Sequence, residues 1–339
     1  MNNKKIRVAI NGFGRIGRAA FRIILEKHDN MEVVAVNDLT DSKTLAHLLK
    51  YDSVYGQLNG EVGSDNENIT VDGRPFPVLS ETDPGNLPWE KMEVDVVLEC
   101  TGIFRKIEEA SRHISAGAKK VIISAPSKSD KIGVYVIGVN DKEIPKDVQV
   151  ISNASCTTNC IAPVMQVLED AFGVEKAIMT TVHSYTADQN LVDGPHKKGD
   201  LRRARGAAMN MVPTTTGAAL AATQAIPTLK DKFDGMAIRI PTAVGSLADI
   251  TVVLKKDVDV DAINNALISA SKSENMKDIL TVTNDPIVSS DIIGNPSSAI
   301  VDLALTKVVG GNLVKIIAWY DNEWGYSNRL VELVGKLIM

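Results

Sequence analysis

Two thiols four positions apart, in the stretch ISNASCTTNC at residues 151–160, are the side chains with the most chemical potential in this chain. An i, i+4 cysteine pair fits three chemistries: two ligands of a metal site, a redox couple, or one nucleophile beside a bystander. A structural zinc site needs four ligands, and no second Cys/His pair at ligand spacing follows. The third cysteine, Cys100, and the five histidines, His28, His47, His113, His183 and His196, are scattered, so no metal is expected. Dithiol redox motifs have two residues between the cysteines, and here there are three. Ser155 is placed to cap a helix that begins at Cys156. That puts the first thiol among outward-pointing amides, a field expected to lower its pKa by about a unit or more. Cys160 lies one turn further in, with Ile161 and Val164 nearby, and reads as a small apolar core residue. One thiol reacts and one packs.

A nucleophile needs a base. His183 closes the strand-like run AIMTTVH at the edge of a polar loop and reaches Cys156 if that strand runs beside the helix. A strand-end imidazole bonded to a carbonyl is the plainer alternative, and that plain reading is kept for the other four histidines. Anion sites come next. Arg239 sits in AIRIP, a strand otherwise apolar, where a charge is costly unless paired or bound to an anion. Arg202, Arg203 and Arg205 fall in a loop, and at least one of them is expected to be a solvated or subunit contact. The run from Thr214 to Gly217 precedes an alanine-rich helix and offers hydroxyls and free amides.

A second chemistry is written near the N-terminus. NGFGRIG supplies Gly12, Gly14 and Gly17 as G-x-G-x-x-G, between an apolar strand and a helix. Gly12 suits the tight turn, Gly14 the close approach of backbone to a pyrophosphate, and Gly17 the packing of helix on strand. Asp38 ends the second strand, where a carboxylate accepts from an adenosine ribose and repels a 2′-phosphate. NAD is favoured over NADP. A glycine turn that merely packs a helix is the alternative.

These groups must be held by something. The first half alternates strand and helix: Ile6 to Ile10, a helix from Arg15 to Lys27, EVVAVND, a helix capped by Asp41 or Ser42, a hairpin at ITVDGRPFPVL, then VDVVLECTG, KKVIISAP and VQVISNAS, with a helix from about Ile107 to Ala116. Such alternation implies βαβ units and a mostly parallel sheet. After Cys156 a helix to Ala171 leads into longer alternating strands, EKAIMTTVHSY, GMAIRIP, SLADITVVLKKD and NLVKIIAWYDN, as in an antiparallel sheet with one covered face. Between them, Thr186 to Asn210 is a long polar loop of the kind that carries function. The fold class is α/β: a Rossmann-type doubly wound sheet plus an α+β catalytic domain with a mostly antiparallel sheet. Residues 1–155 are expected to bind the dinucleotide, completed by a C-terminal helix at 322–339, with 156–321 as the catalytic domain.

Bulk properties narrow the field. The chain has 339 residues, a net charge of −5 and 44% hydrophobic residues, which fits about two domains and no broad basic face for nucleic acid. No stretch reaches the roughly 18 apolar residues of a membrane span, and the N-terminus lacks a signal-type apolar run. A cytoplasmic protein is expected.

Taken together, NGFGRIGR, NDLTD, LAHLLKYDS, ECTGIF, SNASCTTNC, HSYTADQ, LRRAR, PTTTGAA and WYDNEWGYSNR resemble the phosphorylating glyceraldehyde-3-phosphate dehydrogenase family, in order, from about residue 6 to residue 335. The resemblance implies that Cys156 is the nucleophile and His183 the base. It implies Thr186 and Arg239 for the substrate phosphate, and Ser155, Thr157, Arg203, Thr216 and Gly217 for inorganic phosphate. It implies NAD contacts at Gly12, Phe13, Gly14, Arg15, Ile16, Asp38, Thr101, Gly102, Ser124, Asn322 and Tyr326. Glyceraldehyde 3-phosphate, inorganic phosphate and a homotetramer are the implied partners. Erythrose-4-phosphate dehydrogenase and a non-catalytic NAD-binding sensor on the same fold are the alternatives. Departures from the family pattern are Thr82, where an arginine is common, the extra residues around Lys198 and Gly199, and the strand RIPTAVGSLADI.

Overall fold

The computed structural model describes residues 4–338; the ends of the two expected spans, at residues 1–3 and 339, lie outside it. Ile6–Asn11 buries Val8, Ala9 and Ile10 completely, because parallel neighbours flank it on both sides and helices cover its faces. Met31–Asn37 pairs on one side and Val96–Glu99 on the other, both in parallel. Among the described residues the sheet has nine strands. Their order is Gly133–Val134, Val150–Ser152, Lys120–Ile123, Val96–Glu99, Ile6–Asn11, Met31–Asn37, Arg74–Leu79, Asn68–Val71 and Val62–Ser64. The first seven run parallel. Antiparallel pairing enters only through the hairpin of Asn68–Val71 and Arg74–Leu79, to which Val62–Ser64 adds an edge. Its turn is Asp72-Gly73, both at positive φ (51° and 75°), the geometry that matches the twist of a two-residue hairpin.

The helix Arg15–Lys27 follows the first strand and buries Ala20, Phe21, Ile23 and Ile24. Ser42–Lys50 is capped by Asp41, whose carboxylate accepts from the Thr44 amide. Ile107–Ser115 packs Ala110 into a core shared with Ala9, Val97, Val121 and Trp89.

The second sheet runs Val212–Thr215, Phe233–Ile240, Val174–Ser184, Ser246–Leu254, Leu313–Tyr320, Ala299–Asp302 and Leu280–Thr283, with Lys307–Val309 added to Leu313–Tyr320. Most neighbours are antiparallel. Two pairs are parallel: Val174–Ser184 with Phe233–Ile240, and Leu280–Thr283 with Ala299–Asp302. Ser246–Leu254 alternates buried and half-buried at every residue, the signature of one covered face. The helix Cys156–Phe172 covers it, flanked by Ala218–Ala225 and Val260–Ser271.

The chain divides into two units. One comprises Met1–Tyr135, Asp141–Ala154 and Ser327–Met339; the other comprises Val136–Asn140 and Ser155–Tyr326. The parallel sheet belongs to the first and the mixed sheet to the second. The break before Ser155 coincides with the cap of the cysteine helix. Asn322 and Tyr326 fall in the second unit although the helix Trp324–Ile338 continues into the first.

Candidate active site

In the second unit, Ser155 has extended backbone and its hydroxyl accepts from the Thr158 amide at 3.1 Å, so the helix begins at Cys156 as its cap requires. Cys156 is half-buried and its sulfur lies 3.4 Å from Nε2 of His183. The parallel register of two strands sets His183 directly opposite Arg239. Arg239 Nη1 then approaches His183 Nδ1 at 2.9 Å, the Ser184 carbonyl at 3.0 Å and the Thr186 hydroxyl at 3.5 Å. His183 Nδ1 is itself 2.7 Å from the Ser184 carbonyl. Nucleophile, imidazole, Thr186 and Arg239 therefore share one place. Cys160 is buried against the Ala318 carbonyl and packs.

The electrostatics correct one expectation. Burial pushes the Cys156 thiol up, and the Arg239 charge, the Thr157 hydroxyl and nearby amides pull it back only in part. The helix start alone does not hold a thiolate here. Burial, then the Arg239 charge, lower His183 to about 3, so the imidazole is neutral at neutral pH and able to accept a proton. Arg239 is lowered by burial too, yet no carboxylate is bonded to it among the described residues and its Nε has no partner. The nearby carboxylate of Asp188 is engaged by Lys198 and Arg203. A largely buried guanidinium in that state fits an anionic ligand.

The expected phosphate ligands separate into two kinds. The Thr158 hydroxyl reaches the Ala218 carbonyl at 3.3 Å, and the Ala218 amide reaches the Thr216 hydroxyl at 3.2 Å. These bonds bring Ser155 at one helix start beside Thr216 and Gly217 at another. Gly217 at the second helix start makes no side-chain cap bond, so beyond the Ala218 amide, which Thr216 engages, the first-turn amides are open to an anion. Arg203 and Thr157 are already engaged. Arg203 is held by Asp188 and Asp200, by the Thr214 hydroxyl at 3.0 Å and by the Thr215 carbonyl at 3.2 Å. Lys198, in the added segment, joins the same Asp188 at 2.9 Å. Arg202 donates to the Pro213 carbonyl and Arg205 pairs with Asp193. Thr157 turns inward, 2.8 Å from the Tyr320 hydroxyl, which also meets Thr181 at 2.7 Å.

Tyr320 escaped the sequence reading. Its ring packs edge-on to His183 with centroids 6.0 Å apart. Only a tyrosine in an otherwise apolar strand end signalled it. Ser184 and Ser246 escaped as well: both hydroxyls donate to Asn322 Oδ1, at 2.8 and 3.0 Å, and the Gly245 amide adds a third donor at 3.1 Å. Three donors fix that oxygen and leave the amide nitrogen of Asn322 to donate elsewhere. Tyr326 is buried at the start of the last helix.

In the first unit, the strand order places Ser124, Thr101, Gly12 and Asp38 at the carboxyl ends of four adjacent parallel strands. Gly12 has φ +92°, and a Cβ there would meet the Thr101 amide nitrogen at 2.7 Å. A Cβ on Gly17 would lie 2.2 Å from the Gly12 carbonyl oxygen, while one on Gly14 would meet nothing within 4 Å. The turn is therefore tight below and open above. No side chain caps the helix Arg15–Lys27 and no acidic residue occupies its first turn, which suits a pyrophosphate. Asp38 accepts from the Phe13 amide at 2.8 Å and the Thr40 amide at 3.0 Å, and its remaining lone pairs suit ribose hydroxyls. Phe13 itself is fully buried against Phe21, so only its backbone faces a dinucleotide. Arg15 pairs with Asp52, and Ile16 is half-buried in the first turn. Gly102 is exposed at φ +69°. Thr82 is exposed, within 3.5 Å of Glu81.

Beneath this turn lies a network with no linear signature. The fully buried Glu99 carboxylate accepts from Asn11 at 2.5 Å, the Thr101 amide at 2.9 Å, the Thr101 hydroxyl, and His113 Nε2 at 3.1 Å. Trp89 donates to His113 Nδ1 at 3.0 Å, which fixes the tautomer. His113 is a satisfied core histidine that helps set the strand ends.

Comparison with known proteins follows the same division. Residues 6–107 match the family model "Glyceraldehyde 3-phosphate dehydrogenase, NAD binding domain", and residues 155–322 match "Glyceraldehyde 3-phosphate dehydrogenase, C-terminal domain". A glyceraldehyde-3-phosphate dehydrogenase of Streptomyces coelicolor is 55% identical over 329 residues, 97% of each chain. That of Geobacillus stearothermophilus is 53% identical over 333 residues, 98% of each chain. That of Borreliella burgdorferi is 51% identical over 339 residues, covering 98% of this chain and all of the relative.

Proposed function

Because this chain belongs to the glyceraldehyde-3-phosphate dehydrogenase family and is an NAD-dependent enzyme of that activity, we propose that Cys156 is its nucleophile and His183 its general base. The contact of 3.4 Å between the Cys156 sulfur and a neutral imidazole nitrogen supports the pairing most directly. As the aldehyde carbon of glyceraldehyde 3-phosphate approaches, the S–H proton passes to Nε2 and sulfur bonds to carbon, giving a hemithioacetal. The Cys156 amide at the helix start and the new imidazolium stabilise its oxygen. NAD supplies the hydride acceptor that turns this adduct into a thioester. Inorganic phosphate then attacks the thioester carbonyl, sulfur leaves, and 1,3-bisphosphoglycerate is released.

The residues divide by charge. Arg239 and Thr186 hold the substrate's own phosphate beside the base. Ser155, Thr216, Gly217 and the first-turn amides that follow Ala218 receive the attacking phosphate. Arg203 and Thr157 shape that pocket through Asp188 and Tyr320, a supporting role. For NAD, Gly12, Gly14 and the first turn at Arg15 and Ile16 take the pyrophosphate. Asp38 takes the adenosine ribose; Thr101, Gly102 and Ser124 line the strand ends; Asn322 donates to the nicotinamide amide, with Tyr326 beside it. Residues 1–155 with the last helix serve the cofactor, and 156–321 the chemistry.

The chain works as a homotetramer in the cytoplasm. Leu191, Val192, Leu201, Met209 and Met211 are each more than 70% exposed along one loop, an apolar surface suited to a neighbouring subunit. No helix among the described residues is long and apolar enough to cross a membrane. One assay tests the whole reading: NADH formation from glyceraldehyde 3-phosphate with and without inorganic phosphate, repeated after alkylation of Cys156. Turnover that survives alkylation removes the nucleophile.

A further inference from the structure

Two hydrogen-bond relays end on the buried Glu99 carboxylate, one from each side, and both arrive as donors. From the loop after Arg74–Leu79, the Glu81 amide donates to Asn37 Oδ1 at 2.8 Å, which fixes the orientation of the Asn37 amide. Asn37 Nδ2 therefore donates to Asn11 Oδ1 at 2.7 Å, and Asn11 Nδ2 donates to Glu99 at 2.5 Å. From the other side, the Trp89 indole N–H donates to His113 Nδ1 at 3.0 Å. The ring's one proton then sits on Nε2 and points at Glu99, 3.1 Å away. The Thr101 amide is a third donor, at 2.9 Å, and the Thr101 hydroxyl, which accepts from the Ile103 amide at 3.1 Å, is a fourth. Such a set of donors selects the ionised carboxylate, which can only accept.

That charge has no counter-ion. His113 is neutral in this tautomer, and no lysine or arginine pairs with Glu99 among the described residues. The polar and charged neighbours of the ring are Glu99, Asn11 and Trp89. Cys100 is pushed up to about 12, by burial first, with the Glu99 charge adding to it, and stays a thiol. The Glu99 and His113 side chains are both 0% exposed, so dissolved salt screens this charge little.

Glu99 also stands on a defined side of the glycine turn. Lys120–Ile123, Val96–Glu99, Ile6–Asn11 and Met31–Asn37 are consecutive in the sheet, so Asp38 lies on one side of Gly12 while Thr101 and Ser124 lie on the other. A dinucleotide crosses the strand ends where the strand order reverses. With its adenosine ribose at Asp38, its nicotinamide half belongs on the side of Glu99 and Ile123. The oxidised ring carries a positive charge and the reduced ring carries none; the other charges of the two cofactors are the same.

We propose that Glu99 is an electrostatic specificity residue that favours oxidised over reduced cofactor, and that Trp89 holds His113 neutral so that the charge stays uncompensated. Arrival of the hydride removes the ring's positive charge and with it the attraction. The hold on NADH is thereby weakened relative to that on NAD, and reduction of the bound ring is opposed by the same factor. This rests on Asp38 taking the adenosine ribose.

The test is calorimetric titration of the full-length protein with NAD and with NADH, read as the ratio of the NADH Kd to the NAD Kd. A merely structural defect, or a change at the pyrophosphate, moves both constants and leaves the ratio alone. In Glu99→Gln the ratio should fall about four- to fifteenfold, the factor for unit charges roughly 10 Å apart at an effective dielectric of about 20 to 40. Glu99→Asp keeps the charge and should stay within about twofold of the wild-type ratio. Because Glu99→Gln sets an amide among donors and can fail to fold, Trp89→Phe supplies a second reading. It frees His113 Nδ1, and between about pH 8 and pH 6 the ring should take a second proton, seen in its 15N signals, while the ratio falls by the same factor. Wild type should show neither change. Three results overturn the proposal: a ratio unmoved in folded Glu99→Gln, a ratio unmoved in Trp89→Phe once His113 is doubly protonated, or a ring in that variant that stays neutral throughout. Cofactor discrimination in Asp38→Asn tests the underlying reading separately, so the two failures are distinguishable.

Discussion

The sulfur of Cys156 and Nε2 of His183 stand 3.4 Å apart although 27 residues separate them in the chain. One lies in the first turn of a helix and the other near the end of the strand Val174–Ser184. Such a pair needs no resting thiolate. Burial disfavours the charged form of both groups, so the proposed mechanism has the proton move when an electrophile arrives.

Replacing the sulfur tests the proposed nucleophile. Cys156→Ser should abolish NADH formation while NAD binding, followed by fluorescence titration, stays within about twofold of wild type. Turnover above about one part in a thousand would contradict covalent catalysis by this residue.

Removing the proposed base should cost about 10²–10⁴ in kcat, the usual worth of general-base catalysis. His183→Asn should also alter acid stability. The folded imidazole titrates at about 3 against an ordinary value of 6.5, so the unfolded chain binds the extra proton between those limits. Its stabilising contribution is complete above about pH 6.5 and is lost as pH falls toward 3. Urea midpoints measured across that window should fall more steeply for wild type than for His183→Asn.

Tyr320→Phe deletes the hydroxyl that joins Thr157 to Thr181 and keeps the ring against His183. Leaving buried hydroxyls without that partner should destabilise the protein by about 1–3 kcal/mol in equilibrium unfolding. The freed Thr157 should also raise the KM for inorganic phosphate more than that for NAD.

Asp38→Asn retains an acceptor for the backbone amides of Phe13 and Thr40 and removes the charge. Comparing kcat/KM for the two cofactors should show relaxed discrimination against NADP. A preference as strong as in wild type would move cofactor selection elsewhere.

Gly17→Ala places a methyl group 2.2 Å from the Gly12 carbonyl oxygen. The turn must shift, at roughly 1–3 kcal/mol of stability or more. NAD affinity should fall with it, whereas alkylation of Cys156 should keep its wild-type rate.

Much of this enzyme is legible along the chain because the governing forces are local. Alternating βα periodicity gives a parallel sheet, glycines at fixed offsets give a tight turn from strand into helix, and Ser155 ahead of Cys156 gives a helix start. The strands Leu280–Thr283 and Ala299–Asp302 stay hidden because four residues are too short a run to show a period, and so does the helix Val260–Ser271, whose apolar residues spread around it while only Ile263 and Leu267 are buried. What tertiary structure alone decided is partnership. Strand register placed Arg239 opposite His183, folding engaged Arg203 with Asp188 and turned Thr157 toward Tyr320, and burial pushed the thiol pKa up. Register, desolvation and competition among hydrogen-bond partners depend on segments far apart in sequence, and no local pattern encodes their outcome.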